Sequence, residues 1–199
     1  LATEMLLKVA ARFPNVRFRV LADHLYNGNA VLHEVHSQTN NIHFTMRGRA
    51  DAALFEMPPP YEGSGRPRVK GNRLPNPKQW ANQNPEAFET CTVALYGKQV
   101  EVQLASFVGM AYRSLPGRLM HYVVVRDPRG IYKTDYLFDT DINTTAIQVV
   151  EGYSRRWPLE RSFQDSKQKL GVEKHQTQLP KSVRRCAPFS MLMYSLVVL

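Results

Sequence analysis

The stretch VRFRVLADHLYNGNAVLHEVHSQTNNIHFTMR, residues 16–47, decides the fold class. Residues 16–22 alternate apolar and polar side chains as a half-buried strand does, and residues 42–47 have a similar character. Between them, a Tyr-Asn-Gly turn leads into a helix that we place near residues 28–38. Asp23 follows the last apolar residues of the first strand. A strand, a helix and a strand joined by short links predict an α/β core.

The segments on either side of this stretch differ in character. Residues 3–13 place their apolar side chains on one helical face, with Thr3 as the N-terminal cap. Residues 51–90 are rich in Pro and Gly, which indicates an extended loop region. Beyond them, CTVALY and QVEVQL alternate around a Gly-Lys pair, and two further alternating segments flank the Asp-Pro-Arg-Gly turn at residues 127–130. Each pattern predicts a β-hairpin, so we expect a β-rich insertion in the α/β core.

Helical character returns at Asn143 and continues past Gly171. Pro158 lacks an amide N–H and clashes with a preceding helical turn, so we expect a break at Trp157-Pro158, with the proline in the first turn of the second helix. Gly171 is placed to end that helix. A last helix is predicted to begin near Ser182.

Charge and cysteine content narrow the function classes. Lys and Arg total 26 and Asp and Glu total 17, which gives a formal net charge of +9 at pH 7. This excess favours a polyanionic partner such as nucleic acid, although a merely basic soluble protein fits the charge equally well. The two cysteines, Cys91 and Cys186, exclude a disulfide framework and a Cys-based zinc site, and they fit a reducing cytoplasm.

The histidines do not indicate a metal site, and the apolar C-terminal residues do not indicate a membrane protein. His33 and His36 can share a helical face, but no His spacing fits a metal motif, so we expect a surface pair. The apolar run at residues 187–199 is too short to cross a bilayer, and we expect no membrane partner. No G-x-x-x-x-G-K-[ST] loop is present, so ATP is not implied.

The densest chemistry lies in YSRRWPLERSFQDSKQKLG, residues 153–171. At about 100° per residue, four of its side chains fall within an arc of about 60° on one helical face: Tyr153, Arg156, Glu160 and Lys167. One carboxylate therefore shares a face with two cations and a phenol. On periodicity alone, an ordinary solvated face with charge pairs three or four residues apart explains the same pattern.

The spacing Y-x2-R-x3-E-x6-K of these four residues resembles the hallmark of a group of bacterial insertion-sequence transposases of the DDE type. The residues around these four positions are similar to those around the hallmark in the same family: Arg-Trp, Leu-Glu, Phe163 and Leu-Gly. Upstream, LADHLYNGNAVL around Asp23 resembles the segment that carries the family's second catalytic Asp. RGRADAALF, GRPRVKGNRL, LYGK and LFDTD resemble successive stretches. The resemblance therefore runs in collinear order through nearly the whole chain.

The resemblance implies a ribonuclease-H-like α/β core, in which two Asp and one Glu hold two Mg²⁺ or Mn²⁺ ions, interrupted by a β-rich insertion. It makes Asp23 the second Asp and Glu160 the Glu, both catalytic and both metal ligands. Hard carboxylate oxygens suit these ions, which activate a nucleophilic oxygen and neutralise a leaving oxyanion. The two carboxylates are then expected to face one pocket. For Asp23 alone, a cap or turn residue after the strand is the alternative.

The family's first catalytic Asp lies on an earlier strand, and this chain begins too late to include it. We therefore expect the core to be incomplete at its N-terminus, the chain to be a fragment at both ends, and the fragment alone to be inactive. Asp139 and Asp141, in FDTD, are candidates to replace the missing Asp. For both we favour a cap or turn at the start of the following helix.

Three regions are predicted. Residues 1–50 carry the part of the ribonuclease-H-like core with the second Asp, and residues 51–140 carry the loop and β-rich insertion. Residues 141–199 carry the helical part with the catalytic Glu.

DNA contact is predicted beside the proposed site. Nine basic and three acidic residues fall between positions 153 and 185, and phosphate neutralisation is their natural use. We expect Arg156 and Lys167 to hold phosphates next to the scissile bond. Tyr153 either bonds a phosphate, stacks on DNA or packs the helix.

A second basic run contains Arg66 and Arg68 in a Gly-Arg-Pro segment similar to an AT-hook, which lays Arg into a narrow minor groove. A flexible basic loop that touches backbone phosphates is the alternative. The partners implied by the resemblance are double-stranded DNA, as transposon ends and target, and a second copy of the protein in a homodimer assembled on DNA.

We therefore predict a DNA transposase that cleaves and joins transposon-end DNA by metal-dependent phosphoryl transfer, in the bacterial cytoplasm and associated with the nucleoid. Two alternatives stay open. One is another ribonuclease-H-like nuclease, such as a resolvase, and the other is a DNA-binding remnant or regulator without catalysis.

Overall fold

Six strands pair into one mixed sheet in the computed structural model of this protein, which describes residues 1–63, 65–171 and 179–198. The chain divides into two units, Leu1–Ser154 and Arg155–Leu199, and the sheet belongs to the first. The strands are β1 (Phe18–Ala22), β2 (Ile42–Arg47), β3 (Leu54–Phe55), β4 (Arg73–Leu74), β5 (Glu89–Leu95), β6 (Lys98–Gly109), β7 (Met120–Arg126) and β8 (Asp135–Asp139). The helices are α1 (Ala2–Arg12), α2 (Leu32–Gln38), α3 (Pro77–Gln83), α4 (Ala146–Ser154), α5 (Trp157–Lys169) and α6 (Pro180–Val198). The sheet order is β1-β2-β8-β7-β6-β5, while β3 and β4 pair separately.

The strand–helix–strand prediction for residues 16–47 is confirmed. β1 and β2 run parallel, with Phe18 opposite Ile42 and Ala22 opposite Met46. Parallel neighbours need a crossover connection, and α2 lies in that connection. The chain therefore has the mixed α/β architecture expected from its sequence.

Both predicted hairpins are also present. β5 and β6 pair antiparallel around Tyr96 and Gly97, whose φ angles are 53° and 76°. Positive φ at both central residues is the conformation of a type I′ hairpin turn, one of the two favoured two-residue connections. β7 and β8 pair antiparallel across the Asp-Pro-Arg-Gly turn, and β8 also pairs with β2. The α/β part and the β-rich part therefore share one hydrogen-bonded sheet.

Apolar clusters cover both faces of this sheet. The larger one includes Leu32 of α2, Phe44 of β2 and Phe138 of β8. The second joins Val123 of β7 to Val149 of α4. Because successive strand residues point to opposite faces, the two clusters lie on opposite sides of the sheet. Burying each such side chain contributes roughly 1.5–3 kcal/mol.

The predicted break at Trp157-Pro158 is confirmed in the second unit. α5 begins at Trp157, so Pro158 lies in its first turn. Gly171 follows α5 with a φ of 62°, which glycine adopts without strain at a helix end. α6 begins at Pro180, two residues before Ser182, because proline is tolerated in a first turn. In the described ranges, no helix combines the length and hydropathy needed to cross a membrane.

Two details predicted from the sequence are wrong. Thr3 does not cap α1; it lies inside the helix, and its hydroxyl donates to the Ala30 carbonyl at 2.9 Å. His36 is not a surface residue, because it lies on the buried face of α2 with 5% of its surface exposed. Its Nδ1–H donates to the Leu32 carbonyl at 2.9 Å, and Nε2 accepts from the Thr140 hydroxyl at 3.1 Å. Burial lowers the pKa of His36 to about 4.

His36 should make the fold sensitive to acid. The unfolded chain takes up a proton at His36 near pH 6.5, whereas the folded chain resists protonation until about pH 4. The free energy of unfolding should therefore fall as the pH drops through this window, by about 3 kcal/mol at most. Denaturant unfolding at pH 7 and at pH 4.5 measures the loss. His36→Gln should flatten the pH dependence, and His33→Gln, in the same helix, should leave it intact. Equal pH dependence in both variants would contradict the assignment.

Candidate active site

Asp23 lies where β1 ends. Its backbone is still extended, with φ −80° and ψ 164°, and its Oδ1 accepts a hydrogen bond from the His24 amide at 2.6 Å. That bond caps the short 3-10 turn His24–Tyr26. His24 Nδ1 lies 2.9 Å from the same oxygen, and the Asp23 side chain is 38% exposed. Asp23 therefore serves as a cap and also presents a carboxylate that solvent can reach.

Alternation along β1 directs Asp23 to the side of the sheet that α4 covers. The even-numbered residues of β1 pack against the larger apolar cluster, so the odd-numbered residues point the other way. Arg19 shows this directly, because its Nη2 donates to the Thr144 hydroxyl at 3.1 Å, just before α4. A Cβ built on Gly152 of α4 would lie 3.6 Å from Arg19 Nη1. Asp23 continues this face past the end of the strand.

Asp139 has the turn role predicted from the sequence, and it is also a buried carboxylate, which was not predicted. Its side chain is fully buried, and its two oxygens accept the Thr45 hydroxyl at 2.5 Å and the Asp141 amide at 2.8 Å. Arg19 Nε lies 3.8 Å away. Burial raises the pKa of Asp139, and the hydrogen bonds offset only part of that effect. Because protein groups engage both oxygens, Asp139 is a structural group within the sheet.

Asp141 shapes the turn before α4, as predicted. Its carboxylate accepts the Asn143 amide at 3.1 Å and pairs with Arg17. Burial acts to raise its pKa, but the Asn143 amide and the charge of Arg17 outweigh burial and lower it. The cap itself is Thr145, whose hydroxyl accepts the Gln148 amide at 3.2 Å while Gln148 Oε1 accepts the Thr145 amide at 3.1 Å. Neither FDTD aspartate is thus placed as a metal ligand.

Glu160 lies in the first turn of α5, within the second unit. Its Oε1 accepts from Arg156 Nη1 at 2.5 Å, and the two side chains are 48% and 22% exposed. Lys167 is exposed seven residues further along, which returns it to nearly the same helical face. The second unit therefore brings together a carboxylate and an arginine and aligns a lysine with them.

Tyr153 does not belong to the unit that contains Arg156, Glu160 and Lys167. It belongs to α4 in the first unit, where it packs against the second apolar cluster. This is the packing role considered from the sequence, and its contact with DNA stays a prediction. Asp23 and Glu160 likewise lie in different units, and their meeting at one pocket stays a prediction. Among the residues that the structure describes, no group of three His, Cys, Asp or Glu side chains could hold a metal ion.

Part of the basic character of α5 is neutralised within the helix. Asp165 lies 2.9 Å from Lys169 Nζ and 3.9 Å from Arg161 Nε. The hydrogen bond from Lys169 lowers the pKa of Asp165. Arg66 and Arg68 lie in the exposed loop between β3 and β4, outside any helix or strand. Glu173 and Lys174, which belong to the basic stretch counted from the sequence, fall outside the described residues.

Comparison with known proteins places half of this chain in a family. A family model described as DDE superfamily endonuclease matches residues 1–100. The matched segment contains β1, Asp23, α2 and β2, whereas Glu160 lies beyond its end. No curated protein matches the chain.

Proposed function

Since this chain belongs to the DDE superfamily endonucleases, we propose that it is the catalytic part of a DDE-type transposase that cleaves and joins transposon-end DNA on a ribonuclease-H-like core. The observation that carries the proposal is the position of Asp23. It lies at the carboxyl end of a parallel strand, where α/β proteins build their sites, and it points to the face covered by α4. Along the chain, α4 leads directly to α5 and Glu160.

The chemistry of the two carboxylates fits a hard divalent cation. Each is accessible to solvent, and each accepts a hydrogen bond from the protein, from the His24 amide for Asp23 and from Arg156 for Glu160. Carboxylate oxygens are the ligands that Mg²⁺ and Mn²⁺ prefer. Since no described cluster suffices alone, we expect Asp23 and Glu160 to belong to a larger ligand set that includes the family's first Asp.

Two Mg²⁺ or Mn²⁺ ions, held in this proposal by Asp23 and Glu160 together with the family's first Asp, would supply the Lewis acidity for cleaving a phosphodiester. The chain's own residues then position the reaction. The end of β1 and the first turn of α5 fix Asp23 and Glu160 on regular structure, which keeps a catalytic cluster rigid. Arg156 and Lys167 hold the phosphates beside the scissile bond, and Tyr153 is proposed to bond or stack on the same DNA.

The remaining regions support DNA handling in this proposal. Residues 1–50 and 141–199 form the core, residues 51–140 form the loop and β-rich insertion, and two copies assemble on paired DNA ends. Arg66 and Arg68 are proposed to contact DNA from the exposed loop. Because these two residues lie outside helices and strands, their side chains are better suited to contacting the DNA backbone than to positioning the scissile phosphate.

Incubating the protein with supercoiled DNA carrying paired transposon ends tests the proposal. We expect nicking at the ends in Mn²⁺ or Mg²⁺, joining of the cut ends to target DNA, and loss of both in EDTA. Cleavage without joining would favour another ribonuclease-H-like nuclease such as a resolvase. DNA binding without metal-dependent nicking would favour a regulator or remnant.

The salt dependence of DNA binding should show that Arg156 and Lys167 contact phosphates. Arg156→Ala and Lys167→Ala should each weaken binding to transposon-end DNA and reduce the log–log salt slope by about 0.9 for every phosphate that the variant no longer binds. Lys169→Ala is the matched control, because Lys169 is already held by Asp165. Binding titrations at several salt concentrations measure the slopes. Unchanged slopes in folded Arg156 and Lys167 variants would assign both cations to structural pairing.

A further inference from the structure

A cavity of about 730 Å³ opens in the first unit next to the segment that follows Asp23. Residues 27–28, 48–55, 70–73 and 111–114 contribute to its wall, together with Tyr122 of β7. This volume lies within the range of about 300–1,000 Å³ that is usual for ligand pockets. The residues proposed to bind metal or phosphate in the catalytic site do not line it.

The wall of the cavity favours an anion that carries a flat ring. Four cationic side chains and one carboxylate line it: Arg49, Lys70, Arg73, Arg113 and Asp51. Asp51 holds Arg49 through two hydrogen bonds of 2.9 Å, which leaves an excess of positive charge from the other three. Besides Tyr122, the rings of Phe55 and Tyr112 line the cavity. Lys70 Nζ lies 4.2 Å from the ring centroid of Phe55 and 5.5 Å from that of Tyr112. Aromatic faces beside cations are the groups that bind single-stranded nucleic acid.

One buried polar atom in the wall, Asn27 Oδ1, has no hydrogen-bond partner within the described residues. Leaving a buried polar group unsatisfied costs about 1–3 kcal/mol, so Asn27 Oδ1 is better explained as a ligand contact than as packing. Tyr122 is 2% exposed, and no described side chain or backbone group bonds its hydroxyl. That hydroxyl is therefore available to a ligand in the cavity.

Gly48 lies beside the polar edge of the Tyr122 ring. A Cβ at this position would lie 3.8 Å from Tyr122 Cε1, the ring carbon next to the one that bears the hydroxyl. Gly48 and Tyr122 both line the cavity, so the polar edge of the Tyr122 ring borders the cavity at this point.

We propose that this cavity binds one nucleotide of a single DNA strand, with the base inside and the phosphates at Lys70, Arg73 and Arg113. Asn27 Oδ1 accepts a base N–H, and the Tyr122 hydroxyl bonds a ring nitrogen or carbonyl of the base. The cationic side chains match the phosphate of a nucleotide, and the aromatic rings match its base. The choice of a DNA strand as its source, instead of a free nucleotide, rests on the proposed function.

Binding in EDTA tests this inference without involving metal-dependent chemistry. The probes are an eight-nucleotide single strand, its fully abasic counterpart, the matching duplex and free deoxynucleoside monophosphates. The single strand should bind at least about fivefold more tightly than its abasic counterpart, because the abasic strand has no bases to stack. Equal affinity for both would overturn the proposal in favour of phosphate contact alone. Preference for free monophosphates would overturn the strand as the source.

Variants locate the binding in the cavity. Tyr122→Phe should weaken single-strand binding about fivefold but leave the melting temperature of the free protein unchanged or higher, because it removes an unpartnered hydroxyl. Tyr136→Phe, on the neighbouring strand, is the control. Lys70→Gln with Arg73→Gln should lower the salt slope by about 0.7 for each phosphate released from the cavity, and Lys98→Gln with Lys133→Gln should not. Wild-type binding by both the Tyr122 and the cation variants would overturn the proposal.

The two proposals fail separately in these experiments. Asp23→Asn should bind the single strand as the wild type does, because Asp23 does not line the cavity. If cleavage requires Asp23 but the cavity variants bind normally, only the nucleotide site is wrong. If the cavity variants lose binding while Asp23→Asn cleaves DNA normally, only the catalytic assignment is wrong.

Discussion

Asp23→Asn in the intact protein should lower metal-dependent cleavage of transposon-end DNA on the order of a thousandfold, with DNA affinity near that of the wild type. The substitution removes the negative charge that would help to hold the divalent cations while keeping nearly the same size. Asn is also a good helix cap, so the hydrogen bond from the His24 amide can be retained and the turn after β1 should survive. Nicking of supercoiled DNA at saturating protein measures the loss, and thermal melting confirms the fold.

The control for this variant is Asp135→Asn. Asp135 is a strand carboxylate of similar exposure, 42%, and it pairs with Arg47 at 2.5 Å. Its replacement should leave cleavage nearly unchanged. A third variant, Asp23→Cys, separates metal binding from capping: it should be inactive in Mg²⁺ and partly active in Mn²⁺, because thiolate ligands suit softer ions better. Full activity of Asp23→Asn in Mg²⁺ would leave Asp23 with its cap role only.

Local patterns predicted the elements of this fold well. The alternation in residues 16–22 and 42–47 identified β1 and β2, and the hairpin signals identified the four longer strands that follow. The local patterns did not show which of these strands pair with one another in the sheet. β8 pairs with β2 through Thr45 and Asp139, which are far apart in the chain. That pairing depends on the packing of two faces, and it makes the β-rich region an extension of the same sheet.

Long-range partners also explain the errors at individual residues. FDTD has the local form of a turn before a helix, which is correct for both aspartates, but the burial of Asp139 against Thr45 and Arg19 from two other strands was not predicted. His36 has an ordinary helical position, and Thr140, brought beside it by the fold, makes it a buried hydrogen-bonded group. In each case the missing information is a contact between distant segments.

The candidate site likewise combines features that the sequence predicted with features that it did not. Asp23 and Glu160 were identified by a resemblance to transposases, since a single carboxylate after a strand or on a helix carries little chemical signal by itself. The family match supports the identification of the region that contains Asp23. The cavity beside Tyr122 had no signal in the sequence, because its wall is assembled from five separate segments.

Glu160→Gln in the intact protein should also lower cleavage on the order of a thousandfold, because the amide cannot supply the charge that a divalent cation requires. The fold should not change, since the Gln carbonyl oxygen can still accept the hydrogen bond that Arg156 donates at 2.5 Å. Asp165→Asn is the matched control on the same helix; it weakens the pairing with Lys169 at 2.9 Å and should leave cleavage within a small factor of the wild type. Single-turnover cleavage in Mg²⁺ and Mn²⁺, beside binding of the same DNA, distinguishes a catalytic defect from weaker association. If Glu160→Gln cleaves as well as the wild type, Arg156 and Glu160 form an ordinary surface charge pair, and the hallmark spacing carries no chemistry in this protein.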